Sequence, residues 1–314
     1  MKTAGFPFHK PVMVREILES LRCKAGRIYV DGTVGGGGHA LAILRASSPD
    51  GILLGIDQDD DALSESEKIL QAFGERKILV KGNFADLDRI LARLHIGAVD
   101  GLLLDLGVSS HQLDTVERGF SFSSDAPLDM RMDRGRKVRA SDLVNGLAEK
   151  ELARIIREYG EEIKAAKIAR AIAERRKLAP LKTTSELASL IAKALGGAVR
   201  RRIHPATRTF QALRIAVNEE LKNLHGAIFR SVPCLKKGGR FSIISFHSLE
   251  DRIVKNAFRS LEKGCICPSD FPVCSCGRKP QLKVLTKRPV SPGPGEIEEN
   301  PRSRSAKLRT AERI

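Results

Sequence analysis

Short apolar runs alternate with stretches in which apolar residues return every three to four positions, the two periods that mark strands and amphipathic helices. Strands are expected at 27–30, 51–56, 78–80 and 99–104. Between them, Val14, Ile17, Leu18 and Leu21, and later Leu87, Ile90, Leu91 and Leu94, each mark one helical face. The run Leu102-Leu103-Leu104 is unbroken by polar residues, as expected for a central parallel strand covered on both sides. Ahead of all this, the prolines of Phe6-Pro7-Phe8-His9-Lys10-Pro11 predict an extended lead-in.

The alternation stops near residue 113. A loop-like stretch to about 140 is followed by helical patterns alone: Leu152, Ile155 and Ile156; Ile168, Ala169 and Ile172; Leu187, Leu190 and Ile191. Thr183 and Glu186 stand at the spacing of a capping box before the last of these. Phe210, Leu213, Val217, Leu221 and Leu224 predict one long helix that returns the chain to the sheet. After the turn Lys236-Lys237-Gly238-Gly239, a fifth strand is expected at 240–246, and two closing strands at 282–287 and 306–309. The organisation is therefore an α/β domain, residues 1–112 with 217–314, interrupted by an all-helical insertion, residues 113–216.

Candidate chemistry collects at the strand ends. Gly35-Gly36-Gly37-Gly38 joins the first strand to a helix opening at His39. Four glycines strip the turn of side chains, so a ligand can reach the backbone and the helix N-terminus. Gly35, Gly37 and Ala40 also fit the dinucleotide pattern, so the loop alone does not choose between nucleotide-type cofactors. Asp57 ends the second strand where a ribose offers its hydroxyls, with Asp59 and Asp60 placed to cap the next helix. Phe84, after the third strand, suits either an adenine face or a core position. Asp105 ends the fourth strand and is followed by small and hydroxyl residues, which makes it the leading catalytic candidate. His247, just past the fifth strand, is the second, as a proton acceptor; Glu250 and Asp251 read as the start of a helix.

Charge changes the picture further. Lys+Arg total 54 against 38 Asp+Glu, a net +16 with pI about 9.8, which points to a polyanionic partner. Residues 131–208 hold 20 basic against 9 acidic residues and 278–314 hold 10 against 4, so the rest is nearly neutral. Lys164, Lys167, Arg170, Arg175, Arg176 and Lys177, with Arg200-Arg201-Arg202, are the basic residues placed to meet phosphates, against the blander reading of a solvated helix face. No apolar run is long enough for a membrane span and no secretion signal is seen, so a cytoplasmic protein with reduced thiols is expected. Cys265, Cys267, Cys274 and Cys276 form two C-x-C pairs that suit a structural zinc. Four thiolates leave no open position, so no catalytic metal is expected.

The order of glycine loop, acid, Asn83-Phe84 and Asp105-Leu106-Gly107 resembles a class I (Rossmann-like) methyltransferase that uses S-adenosylmethionine. Longer segments are similar to the MraW/RsmH family: His9 to Met13, Asp31 to His39, Asp105 to Ser110, Arg118 to Phe122, Phe210 to Ile215 and Ser245 to Asp251. The likeness spans nearly the whole chain; the four clustered cysteines are not among the residues that carry it. It implies methylation of a cytidine N4 amine in the decoding centre of bacterial 16S rRNA, with the small ribosomal subunit as partner. It also implies that Gly37, Gly38, His39, Asp57, Phe84, Asp105 and Gln112 line the S-adenosylmethionine site. The alternatives are a DNA or tRNA amino-methyltransferase, an NAD-dependent enzyme, and a non-enzymatic assembly factor that binds rRNA.

Overall fold

The computed structural model describes residues 11–196, 204–267, 273 and 275–314. His9, Arg200 to Arg202 and Cys274 lie outside the described residues. The chain divides into two compact units, the first running up to Gly107 and resuming at Leu221–Ile314, the second Val108–Glu220.

The first unit is an α/β sheet with helices on both faces. In chain order it holds α1 (Val14–Leu21), β1 (Ile28–Asp31), α2 (Gly38–Ala46), β2 (Ile52–Asp57), α3 (Asp60–Leu70), β3 (Lys77–Lys81), α4 (Leu87–Arg93) and β4 (Val99–Asp105). The second unit supplies α5 (Ser110–Asp114), α6 (Ala140–Gly146), α7 (Glu149–Gly160), α8 (Ala165–Arg176), α9 (Thr184–Ala194) and α10 (Thr207–Asn218). The chain then adds α11 (Glu220–Ser231), β5 (Leu235–Ser245), α12 (Ser248–Lys263), β6 (Leu282–Val284), α13 (Pro294–Glu299) and β7 (Lys307–Arg313). Strands run β3-β2-β1-β4-β5-β7-β6 across one seven-stranded sheet. The first five are parallel, with Tyr29 beside Gly101 and Leu102 beside Phe241. β7 is antiparallel to both β5 and β6. This is the Rossmann-like class I methyltransferase sheet that the sequence resemblance implies.

Side chains alternate across each strand, so the sheet feeds two cores. Val30, Leu54, Leu102, Leu104 and Phe241 pack with Leu87, Ile228 and Phe258 from α4, α11 and α12. Tyr29, Leu53, Leu103 and Ile244 pack with Ile17, Ile43, Leu44 and Leu70 from α1, α2 and α3. Each fully buried Leu or Ile contributes about 1.5–3 kcal/mol, and two such layers hold the strand ends in fixed register.

The second unit has its own core, in which Leu152, Ile156, Ile168, Ile172, Leu187, Leu213 and Phe210 meet. The capping box before α9 forms as expected: Thr183 Oγ1 accepts the Glu186 amide at 3.3 Å, and Glu186 Oε2 accepts the Thr183 amide at 3.2 Å. Among the described basic residues, Arg176 is structural, because its guanidinium donates to the Val144 and Leu147 carbonyls at 2.7 and 2.6 Å. Lys164, just before α8, and Lys167 and Arg170 on it are exposed.

Three expectations change. The long helix after Pro205 is two helices, because Glu219 sits at φ 52° between α10 and α11, a left-handed conformation that a right-handed helix cannot include. The break is fastened by Arg214, which donates twice to Glu220 at 2.9 Å, and by Arg136 on Glu219 at 2.7 Å. The Lys236–Gly239 turn lies within β5: Gly238 takes φ 76°, and the pairing with β4 slips between Val99 and Gly101, so the glycines make a bulge. The last closing strand extends to Arg313 because β7 is paired on both sides, whereas edge strand β6 ends at Val284.

Candidate active site

The parallel strands change order at β1 and β4, which lie side by side while their connections leave in opposite directions. Ligands of open α/β sheets bind at such a point, outside the carboxyl ends of the strands. Asp31, Asp57 and Asp105 close β1, β2 and β4 at this edge.

The loop between Asp31 and α2 is tied to both neighbouring strands. The Val34 amide donates to Ile56 O and the Gly32 amide to Leu103 O, each at 2.9 Å. Gly35 takes φ 51° and Gly37 φ 81°, backbone that glycine adopts without strain. The Gly35 amide donates to Asp57 Oδ2 at 2.9 Å, and Ser66 Oγ donates to Gly35 O at 2.7 Å. Asp57 Oδ1 accepts the Asp59 amide at 3.0 Å, so this carboxylate fastens the glycine loop as well as its own turn. A Cβ on Gly38 would stand 2.8 Å from Pro11, and one on Gly32 would stand 2.5 Å from Leu104 and 3.0 Å from Phe84 Cβ. The loop therefore tolerates no added side chain at either position. Asp59 caps α3 by accepting the Asp61 amide at 3.2 Å. Asp60 is the first helical residue and pairs with Lys81 at 2.6 Å, so capping belongs to Asp59 alone.

His39 and Asp105 face each other. The Val12 carbonyl lies 2.8 Å from His39 Nε2; a carbonyl only accepts, so Nε2 carries the proton. This fixes the ring with Nδ1 3.6 Å from Asp105 Oδ2. The other oxygen, Oδ1, is buried without a hydrogen-bond partner, as is Asp31 Oδ2. The Asp105 amide is held at 2.7 Å by Thr33 Oγ1, and the Thr33 amide donates to Asp31 Oδ1 at 3.1 Å. The three acids are chained through one threonine and one loop. Burial pushes the Asp31 carboxyl up to about 7, with the Asp57 charge adding to it. Burial likewise pushes Asp57 up to about 6, against the amides of Asp59 and Gly35 that favour its charge. Asp105 rises well above the ordinary value through burial and the charges of Asp31 and Glu250. The edge is thus crowded with negative charge and holds two unanswered acceptors, a setting that suits a cation bearing N–H or O–H donors.

His247 caps α12: its Nδ1 accepts the Glu250 amide at 3.4 Å, and Nε2 lies 3.1 Å from Glu250 Oε1. Glu250 Oε2 accepts the Phe246 and His247 amides at 2.8 and 3.3 Å. In this arrangement His247 takes up a proton only by releasing its cap. Phe84 follows β3 after Asn83, whose Oδ1 accepts the Ala85 amide at 2.9 Å, and it is partly buried against the sheet core. Gly37, Gly38, His39, Asp57, Phe84, Asp105 and His247 thus share one unit and its carboxyl edge. Gln112 belongs to the second unit, where its Oε1 accepts the Ser109 amide at 3.1 Å in a capping box. Asp31 was not among the expected site residues, although an acid ending an apolar strand directly before a glycine loop is the same signal that marks Asp57 and Asp105.

The chain matches the MraW methylase family over residues 7–314. It is 64% identical over 315 residues to the ribosomal RNA small subunit methyltransferase H of Syntrophus aciditrophicus, covering 100% of both chains. Its identity to the protein of that name from Syntrophotalea carbinolica is 57% over 307 residues, covering 98% of each. Among solved structures, an rRNA methylase from Streptococcus thermophilus aligns with 96% of this chain and 93% of its own, at TM-score 0.41 and 10% identity. The full-length family match and these identities place the chain in the MraW methylase family.

Proposed function

We propose that the protein methylates the exocyclic N4 amine of a decoding-centre cytidine in bacterial 16S rRNA, using S-adenosylmethionine, and that it acts in the cytoplasm on the small ribosomal subunit. The observation that carries this reading is the buried, unpartnered Asp105 Oδ1 at the β1/β4 switch point, beside the equally unanswered Asp31 Oδ2. Relatives with the small-subunit rRNA methyltransferase name align over 98–100% of their length, and the basic excess of residues 131–208 suits an RNA backbone.

S-adenosylmethionine, when bound, supplies a methyl group activated on a cationic sulfonium. The carboxylates at the edge are complementary to that charge and to an ammonium. Asp57 already accepts the Gly35 and Asp59 amides, with the Gln58 amide also favouring its charge, and the remaining acceptor capacity of its carboxylate would serve a ribose hydroxyl. The bare turn at Gly35–Gly38 lets a ligand approach the backbone, and Phe84, partly buried after β3, would lie beside the adenine.

A cytosine amine is a weak nucleophile because its lone pair is delocalised into the ring. The chain's task is to hold the amine in line and to answer the charge that grows on it. Asp105 is the residue placed to do this. His39 faces its Oδ2, so Oδ1 is the oxygen left to accept an N–H of the amine or of the cofactor's ammonium. As the methyl–sulfur bond breaks and the C–N bond forms, the amine proton would pass to the Asp105 carboxylate and from there to water. His247 is a second acceptor whose use costs the cap of α12, so its role is the smaller. The target base must also leave its stack to reach such a pocket.

Transfer of tritiated methyl to small subunits, naked 16S rRNA, tRNA and DNA tests the reading. Label in the small-subunit RNA alone is expected. Label only in tRNA or DNA, or in none of them with cofactor bound, contradicts it.

A further inference from the structure

At the end of α12 the chain enters a stretch that, among its described residues between Gly264 and Pro280, contains no helix or strand. Its base is closed tightly: the Gln281 amide donates to Leu261 O at 2.8 Å. A Cβ on Gly264, at φ 70°, would meet the Lys279–Pro280 backbone at 2.4–2.5 Å. Among the described residues of the loop, the large apolar side chains Ile266 and Val273 are 55% and 75% exposed. Beyond Gly264, the described residues of this loop that are not exposed are Cys265, Cys267 and Cys276.

Their three sulfurs lie within 4.8 Å of one another, and Cys265 Sγ and Cys276 Sγ are 3.8 Å apart. A disulfide needs about 2.05 Å. A tetrahedral ion with Zn–S bonds of about 2.3 Å puts its sulfurs about 3.8 Å apart. We propose that Cys265, Cys267 and Cys276 bind a zinc ion that holds this loop together. Soft thiolates gathered at this separation select zinc over hard, oxygen-seeking cations. Cys274 lies outside the described residues, and the site stands on the three sulfurs shown.

The ion's role is structural. Helix α12, capped by His247 on the carboxyl edge, runs 16 residues from Ser248, about 24 Å at 1.5 Å per residue, before the cysteines begin. The loop then feeds β6 at the outer margin of the sheet. The proposal is therefore independent of the methyl-transfer reading.

Zinc content of the full chain, purified under reducing conditions from zinc-supplemented cells, gives the first readout. One zinc per chain is expected, falling at least fivefold in Cys265→Ser/Cys276→Ser. Because misfolding of that variant would also lower its zinc content, cobalt titration of metal-stripped wild-type chain supplies a second: a sulfur-to-cobalt charge-transfer band should appear and saturate at one equivalent. Stripping the metal should also speed tryptic cleavage after Arg278 about tenfold, as the loop loses its local protection. Metal-free chain with no cobalt band overturns the proposal, and so does a Cys265–Cys276 disulfide in freshly isolated protein.

Discussion

Asp57 accepts the Gly35 amide at 2.9 Å, so the acid we propose reads the ribose also sets the shape of the loop in front of it. Asp57→Ala removes both functions. The loss of a charge-assisted hydrogen-bond pair costs about 1.5–3 kcal/mol, or roughly 10- to 150-fold in affinity for S-adenosylmethionine. Calorimetry on the variant measures it directly, and unchanged affinity removes Asp57 from the cofactor site.

Asp105→Asn keeps the shape of the side chain and deletes its charge. The expected result is a fall of about 100-fold or more in single-turnover methyl transfer at saturating cofactor and RNA, the scale of losing one transition-state hydrogen-bonding partner. His247→Ala should cost less in that rate than Asp105→Asn and more in thermal stability, since it loses the cap of α12. An unchanged rate in Asp105→Asn takes the residue out of the chemistry.

Cofactor binding should tighten as pH rises. Asp31 and Asp57 are pushed up to about 7 and about 6 from 3.8, so the ligand-free protein carries protons there that a bound cation displaces. Affinity should climb between pH 5 and 7, by up to roughly tenfold per pH unit for each proton released, and level off above about pH 8. The sign for folding is opposite. Between pH 4 and 7 the native state binds more protons than the unfolded chain, so these two acids reduce stability as pH rises through that window. Calorimetry in buffers of different ionisation enthalpy counts the protons; none released at pH 6 contradicts the assignment.

Lys167 and Arg170 are exposed on α8, in the segment that carries the basic excess. Lys167→Glu with Arg170→Glu should weaken binding to small subunits and flatten its salt dependence by about 0.7–0.9 in log–log slope for each phosphate that is no longer neutralised. Affinity for S-adenosylmethionine should not change. Normal subunit binding at every salt concentration assigns these residues to a solvated face.

Much of this was legible in the chain because β1, β2 and β4 each run from apolar residues straight into an acid: Val30 to Asp31, Ile56 to Asp57, Leu104 to Asp105. The period of the apolar positions locates the strand, and the charge locates its edge. The break at Glu219 was hidden because Phe210, Leu213, Val217, Leu221 and Leu224 keep helical spacing through it; one left-handed residue redirects the chain without disturbing the pattern. Gly238 and Gly239 read as a turn, since a local signal does not separate a turn from a bulge whose pairing strand lies more than a hundred residues earlier. The facing of His39 and Asp105, set by the Val12 carbonyl, is a tertiary relationship with no trace in local sequence.

The nucleotide product decides the central claim. Small subunits lacking the modification are incubated with the protein and S-adenosylmethionine, their 16S rRNA is digested to nucleosides, and the products are separated by mass spectrometry against standards. The account predicts N4-methylcytidine, mapped to one cytidine of the decoding centre and formed about 100-fold more slowly or worse when Asp105→Asn replaces the wild-type chain. A methyl group on a ring carbon, on ribose or on another base would contradict it.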